Sequence, residues 1–214
     1  MKKFIQANEL ASMLFDGMTL MVGGFLADGS PEKLVGAVIA SGVKDLTIIA
    51  NDGGWEDRGV GRLVVLGRVK TLIASHIGTN PTCGRLMQEG KMAVELVPQG
   101  TLVERIRAKG AGLGGILTPT GLGTVVQDGK RIVNVGGIDY LLEVPLSADL
   151  ALLGGAIADR YGNLRYIGSK RNFNPIMALA ADTVVAEASA VVDELDPEIV
   201  VTPYPVVDYI VMGD

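Results

Sequence analysis

The sequence predicts an α/β fold built on a mainly parallel sheet with helices on both faces. Three observations carry that prediction. Short, continuously apolar runs such as Leu20-Met21-Val22 and Leu46 to Ala50 suit strands buried on both sides. Helical segments with recognisable start and stop residues stand between those runs. The two kinds of segment alternate, which favours crossover connections over hairpins. With 214 residues, 48% of them hydrophobic, the chain can bury a sizeable core. No linker or internal repeat divides it, so residues 1–214 are expected to form one domain.

Taken in order, Thr19-Leu20-Met21-Val22 reads as a short buried strand, followed by a loop from Gly23 to Gly29 and a helix from Ser30 to about Ser41. Ser30 suits the N-cap and Pro31 the first helical position. Leu34, Val35, Val38 and Ile39 form one apolar face, and Gly42 suits the stop. Leu46 to Ala50 and Leu72 to Ala74 are further strands, Asn80-Pro81 opens a short helix that Gly90 closes, and Val94 to Val97 is a fourth strand. Thr101 and Glu104 read as a capping box for a helix ending at Gly110. Ala111 to Thr124 is a glycine-rich connection with interleaved apolar residues, expected to lie over the sheet. Ile132 to Val135, Gly136-Gly137 and Tyr140 to Leu142 read as a hairpin. Leu150 to Ala158 returns to the buried sheet, and a second hairpin turns at Gly162-Asn163. Asn174-Pro175 opens a helix through Met177, Leu179 and Ala180, and Thr183 to Ala186 and Tyr209 to Met212 are late strands.

Composition narrows the function classes. Net charge is -5 and the Lys and Arg residues are scattered, so no basic stripe exists to neutralise many phosphates and nucleic acid is not an expected partner. A small polyanion remains compatible, because backbone amides at a helix N-terminus hold phosphate without net positive charge. Cys83 is the only cysteine, which excludes an internal disulfide and favours a reducing cytoplasm. Phe4-Ile5 is too short an apolar run for a signal peptide, and no stretch reaches membrane-spanning length. One His and one Cys make no recognisable metal-ligand cluster.

The chemistry concentrates at the end of the first buried strand, Val22-Gly23-Gly24-Phe25. In open α/β sheets ligands bind outside the carboxyl ends of the strands, and a glycine-rich turn there lets backbone approach an anion. On the residues alone, Gly23, Gly24 and Gly29 fit a plain strand-to-helix turn as well. The spacing matches neither Gly-x-Gly-x-x-Gly nor a Walker-type loop. His76 lacks an identifiable nucleophile beside it and reads as a structural histidine rather than a general base. Cys83 reads as a small buried hydrophobe, although a nearby helix start could lower its pKa. Lys170-Arg171 is a small cationic turn, either solvated or facing a phosphate or a partner chain.

The stretch Asp16-Gly17-Met18-Thr19-Leu20-Met21-Val22-Gly23-Gly24-Phe25-Leu26-Ala27-Asp28-Gly29-Ser30-Pro31 resembles the alpha-subunit signature of family I coenzyme A transferases. The resemblance continues in order at Ile49-Ala50-Asn51-Asp52, Ser75-His76-Ile77-Gly78, Val97-Pro98-Gln99-Gly100-Thr101-Leu102, Gly110-Ala111-Gly112 with Thr118-Pro119-Thr120-Gly121, and Arg171-Asn172-Phe173-Asn174-Pro175. It therefore spans nearly the whole chain. It implies a CoA-transferase-like sheet, related to the sugar-phosphate isomerase architecture, with CoA as a substrate and no permanently bound cofactor or metal. It also implies covalent catalysis by a glutamate on a beta subunit, in a heterotetramer. That nucleophile sits in a Ser-Glu-Asn-Gly-like stretch, which none of this chain's glutamates occupies, so no catalytic nucleophile is expected here.

By the same resemblance Gly23, Gly24, Phe25, Leu26, Ala27, Asp28 and Gly29 are assigned to CoA, and Phe25, Asn51 and Gln99 to the substrate. Asn51 and Gln99 each end a predicted strand, where an amide can bond an acyl carbonyl or carboxylate without adding charge; loop capping is the alternative. Some members carry a second asparagine where this chain has Asp52, and a carboxylate there would disfavour a dicarboxylate substrate. Ser75 to Pro81 looks closer to the acetate, butyrate and acetoacetate transferases than to the succinyl-dependent ones. The rival class is a sugar-phosphate-binding or isomerase-like module, because ribose-5-phosphate isomerase and some repressor effector domains resemble this sheet architecture.

Overall fold

The computed structural model describes residues 3–213. Its strands are β1 (Lys3–Phe4), β2 (Thr19–Val22), β3 (Leu46–Ala50), β4 (Val69–Ala74), β5 (Ala93–Leu96), β6 (Ile116–Thr118), β7 (Ile132–Val135), β8 (Ile138–Glu143), β9 (Ala148–Asp159), β10 (Leu164–Tyr166), β11 (Ala181–Val192) and β12 (Tyr209–Met212). Its α-helices are α1 (Glu32–Ser41), α2 (Gly61–Val65), α3 (Pro81–Gln88), α4 (Gln99–Gly110) and α5 (Asn174–Met177).

Among the described residues the main sheet runs β1-β12-β11-β9-β2-β3-β4-β5, with every pairing along that row parallel. β10 turns back antiparallel on the far half of β9. The period-two alternation of strand side chains divides the core into two layers. Leu20, Val22, Ile48, Ala50, Leu72 and Ala74 face α1, α2 and α3, meeting Leu34, Val35, Val38, Leu63 and Val64. Met21, Ile49, Ile73, Ala151 and Leu153 face the other way, onto Leu102 and Ile106 of α4 and Ile176 and Met177 of α5. The continuous apolar runs of β2, β3 and β9 are thus explained, since these strands bury both of their faces.

A second, three-stranded antiparallel sheet has the order β6-β8-β7 and grows out of the glycine-rich connection. It is tied to the main sheet by charge. Glu143, 1% exposed, accepts Lys130 Nζ at 2.6 Å and lies 3.8 Å from Arg105 Nε, while Arg105 Nη1 reaches Glu95 at 2.6 Å. A carboxylate can be buried there because cations from two segments neutralise it.

Four local expectations are corrected. Helix α1 begins at Glu32 with Pro31 as N-cap, and the Ser30 hydroxyl caps nothing. Its free amides are met instead from β11, where one Glu187 oxygen accepts Lys33 N at 2.9 Å and Leu34 N at 3.0 Å. Helix α4 starts at Gln99 behind Pro98, so Thr101 lies inside the helix, buried, and no Thr101–Glu104 capping box forms. Pro98 favours this earlier start by fixing its own φ, observed at -50°. The helix expected through Ala180 is a single turn, Asn174–Met177. Finally, the 111–124 connection carries β6 rather than running as pure loop.

Candidate functional site

The carboxyl ends of β2, β3 and β4 release three loops side by side, and the predicted site residues up to Asn51 fall on the first two of them, with Gln99 at the start of α4 beyond β5. After β2, Gly23 N continues the ladder onto Leu152 O at 2.9 Å. The chain then closes a tight turn in which Phe25 and Asp28 exchange backbone hydrogen bonds of 3.0 and 2.9 Å. Its central residues, Leu26 (φ 49°) and Ala27 (φ 68°), are both left-handed, the φ signs of a type I′ turn that glycine or asparagine normally fills. For L-residues with a Cβ this conformation costs about 1–2 kcal/mol each, so other contacts must hold it.

Those contacts come from both flanks. On the β3 side, Asp52 Oδ2 accepts Leu26 N at 2.8 Å and Trp55 Nε1 donates to Leu26 O at 3.0 Å. On the other side stands the segment after β10. Asn172 Oδ1 accepts Gly24 N at 3.2 Å, its Nδ2 donates to Asp28 O at 3.1 Å, and the Ser169 hydroxyl donates to the Asp28 carboxylate. Asn174, wholly buried, donates to Gly29 O at 3.2 Å and accepts Gly154 N at 3.0 Å. Asn174 lies so close over Gly23 that a Cβ there would stand 1.8 Å from its Oδ1. Gly24 has φ 122°, outside the reach of ordinary side-chain-bearing residues. The loop is therefore a built and strained element, and its Phe25 side chain is 41% exposed at the edge.

Asn51 follows β3 and is 2% exposed; its Oδ1 accepts Gln99 Nε2 at 3.3 Å. Ser75, just past β4, donates its hydroxyl to Asn51 O at 2.7 Å. Gln99 does not end a strand as expected: β5 stops at Leu96, and Gln99 is the exposed first residue of α4. The two amides meet all the same, because Asn51 and the start of α4 share one sheet edge.

Asp52 departs from its expected role. Both carboxylate oxygens are engaged by backbone amides, Oδ2 by Leu26 and Oδ1 by Gly54 at 2.8 Å, and the residue is 4% exposed. Both oxygens thus hold backbone, a role the sequence reading did not give it. His76 is exposed rather than packed, with its carbonyl accepting Gly53 N at 2.8 Å. Cys83 is fully buried; burial pushes its thiol up to about 11, with the Asp52 and Glu56 charges adding, so the helix start does not activate it. Lys170 and Arg171 are exposed on a 3-10 turn.

The sequence pointed to Lys170-Arg171 as a cationic turn, yet the neighbouring Asn172 and Asn174 do the structural work at this edge. The amides of α1 that could have held a phosphate are occupied by Glu187. Among the described residues, no group of three or more His, Cys, Asp or Glu side chains is placed to hold a metal ion, and no helix is long and apolar enough to cross a membrane.

Most of the glutamates are committed elsewhere. Glu9 caps a 3-10 turn, Glu32 pairs with Arg62, Glu89 with Lys91 and Glu104 with Arg107, and Glu95 and Glu143 belong to the buried ion network. Glu56 lies on a loop of this edge and accepts the Thr82 hydroxyl at 2.6 Å, while Glu194 and Glu198 are exposed on the segment that follows β11.

Comparison with known proteins agrees with this architecture. The acetate CoA-transferase subunit alpha of Escherichia coli is 53% identical over 99% of this chain and 97% of its own length. The acetoacetyl-CoA:acetate/butyrate CoA transferase alpha subunit of Clostridium acetobutylicum is 49% identical over 98% of this chain and 97% of its own length. In fold, an acyl-CoA transferase of E. coli, solved as a thioester complex with CoA, superposes with a TM-score of 0.84 at 24% identity over 99% of this chain. This chain spans only 47% of that longer polypeptide. The family model described as Coenzyme A transferase matches residues 4–213, and with it the conclusion is direct: the chain belongs to the coenzyme A transferase family.

Proposed function

We propose that this chain is the alpha subunit of a heteromeric CoA-transferase that moves CoA between a short-chain acyl-CoA and a carboxylic acid of the acetate, butyrate or acetoacetate kind. The observation that carries the reading is the convergence of the strained 23–29 loop, Asn51 and Gln99 on one sheet edge, in a chain whose glutamates all stand outside a Ser-Glu-Asn-Gly-like stretch. Such an edge can bind and orient, but it lacks the nucleophile. The relatives described above are themselves named alpha subunits, which supports a beta partner supplying that group. The sugar-phosphate alternative is not favoured, because the family match runs through residues 4–213.

The chemistry then divides as follows. A glutamate carboxylate of the beta subunit attacks the acyl-CoA carbonyl and expels CoA thiolate, leaving a mixed anhydride. The thiolate attacks the glutamyl carbonyl and releases the first acid, giving a glutamyl-CoA thioester. The acceptor carboxylate repeats the sequence in reverse, so bonds and charges balance and the glutamate is regenerated.

In this scheme Gly23, Gly24, Phe25, Leu26, Ala27, Asp28 and Gly29 form the wall that receives the CoA thioester. Phe25, Asn51 and Gln99 line the acyl and carboxylate side. Neutral amides suit that task, since they donate to a carboxylate or acyl oxygen without competing electrostatically with the nucleophile. We further place the assembly in the cytoplasm as a heterotetramer, with residues 1–214 acting as one domain.

The test is CoA exchange between butyryl-CoA and acetoacetate. The purified chain alone is expected to show none, and co-expression with its companion polypeptide is expected to bring activity. Robust exchange by this chain alone would reject the division of labour. Thermal stabilisation of the assembly by sugar phosphates but not by CoA thioesters would favour the rival module.

A further inference from the structure

We propose that Asp52 is the positioning residue that makes the 23–29 loop competent for its ligand. Leu26 and Ala27 occupy left-handed conformations that L-residues avoid, and a turn so strained relaxes unless its backbone is held from outside. Asp52 holds it at the centre. One oxygen takes the Leu26 amide at 2.8 Å, while the other is anchored at 2.8 Å on the Gly54 amide of its own loop. Trp55, three residues on, closes the same junction by donating its indole N–H to Leu26 O at 3.0 Å. The peptide groups on both sides of Leu26 are thus gripped from the β3 loop.

The carboxylate is specifically required. Asp52 faces two backbone donors, and a carboxylate is an acceptor at both oxygens. An asparagine in its place can accept from only one of them and must point its own NH₂ at the other. The buried side chain, 4% exposed, leaves no room to avoid that clash of donors. Asp52 is buried beneath the loop, so its effect on the ligand passes through the loop.

This inference rests on reading the 23–29 loop as the CoA wall. The experiment therefore couples steady-state kinetics of the assembled heteromer to amide hydrogen exchange on the same preparation. For Asp52→Asn, exchange at the Leu26 amide should quicken at least tenfold, with amides of β2 and β3 unchanged. KM for the acyl-CoA should rise about tenfold, while kcat and KM for the acceptor acid stay within about threefold. Ala27→Gly placed in the Asp52→Asn background should recover most of the lost KM, because glycine occupies the left-handed position without help.

An unchanged KM, a loss confined to kcat, or no recovery by Ala27→Gly would overturn the proposal. If Asp52→Asn fails to assemble, Trp55→Phe removes the indole donor while keeping an aromatic ring and should raise the same KM about threefold; an unchanged KM there overturns the proposal equally. A wild-type assembly without CoA exchange would overturn the functional reading itself, and the hydrogen-exchange arm would still tell whether Asp52 holds the loop.

Discussion

Gln99 donates from its side-chain amide to the amide oxygen of Asn51 at 3.3 Å, joining the start of α4 to the end of β3 across 48 residues of chain. The exposed Gln99 amide is thereby aimed by a buried partner. If the pair presents one polar surface to the acid, Gln99→Ala should raise KM for the carboxylic acid about tenfold, roughly 1.4 kcal/mol. Asn51→Ala should do the same and also lower stability, since it empties a site in which the side chain is buried, 2% exposed. The double variant should cost less than the sum of the two, with a coupling of about 0.5 kcal/mol or more. Strict additivity in a double-mutant cycle of acid KM values would separate the two residues.

Gly23 is predicted to tolerate no side chain. A Cβ at that position would stand 1.8 Å from Asn174 Oδ1, so Gly23→Ala must displace the residue that bonds both Gly29 O and Gly154 N. Overpacking of this sort costs about 1–3 kcal/mol. A thermal midpoint lower by several degrees and loss of CoA exchange are expected. Unchanged melting and activity would show that Asn174 can move freely.

Asp159 makes stability depend on acid. Burial opposes its charge, but hydrogen bonds from the side chain and backbone of Asn163, from Leu195 N and from Tyr161 N outweigh that and hold the carboxyl below its ordinary value. A depressed folded pKa contributes stability that is fully present above the unfolded value, near 3.9, and is lost as pH falls through the folded one. Asp159→Asn should therefore cost about 1–3 kcal/mol at neutral pH. The gap to wild type in denaturant titrations should stay constant down to about pH 5 and shrink below about pH 4. A gap that widens toward acid would contradict the sign.

Cys83 should be chemically silent. With its thiol pushed up to about 11, only about one molecule in a thousand carries the thiolate at pH 8. Because Sγ is also buried, labelling by an aromatic disulfide reagent should proceed only as fast as the chain opens. Stoichiometric labelling within seconds under native conditions would mean that the β3–α3 junction is looser than it stands here.

What could be read in advance follows from the range of each interaction. β2, β3 and β12 were legible because a parallel strand buried on both faces must be apolar throughout, and the left-handed Gly42 marked the end of α1. The start of α4 was misplaced because Thr101 and Glu104 imitate a capping box, whereas the backbone geometry set by Pro98 begins the helix earlier. Helix α2 was missed since five residues after an irregular loop leave no period to detect.

At the site, Asn51 and Gln99 were singled out by the family resemblance and by their place past apolar runs, and the structure brings their amides together. The clamps on the 23–29 loop were not legible. Asn172 and Asn174 act on Gly24, Gly29 and Gly154, and Glu187 acts on α1 from more than a hundred and fifty residues away, contacts that no local pattern encodes. Asp52 was read for its charge alone, and the hydrogen bonds that its two oxygens accept were not foreseen.

The central claim is that this chain shapes the site and its partner performs the bond-making. The most direct measurement is to incubate the assembled enzyme with acyl-CoA, reduce the trapped thioester with borohydride and map the modified peptide by mass spectrometry. The account predicts modification of one glutamate on the companion polypeptide and of none on this chain. A reduced glutamyl residue at Glu56, or at any other glutamate of this sequence, would contradict it.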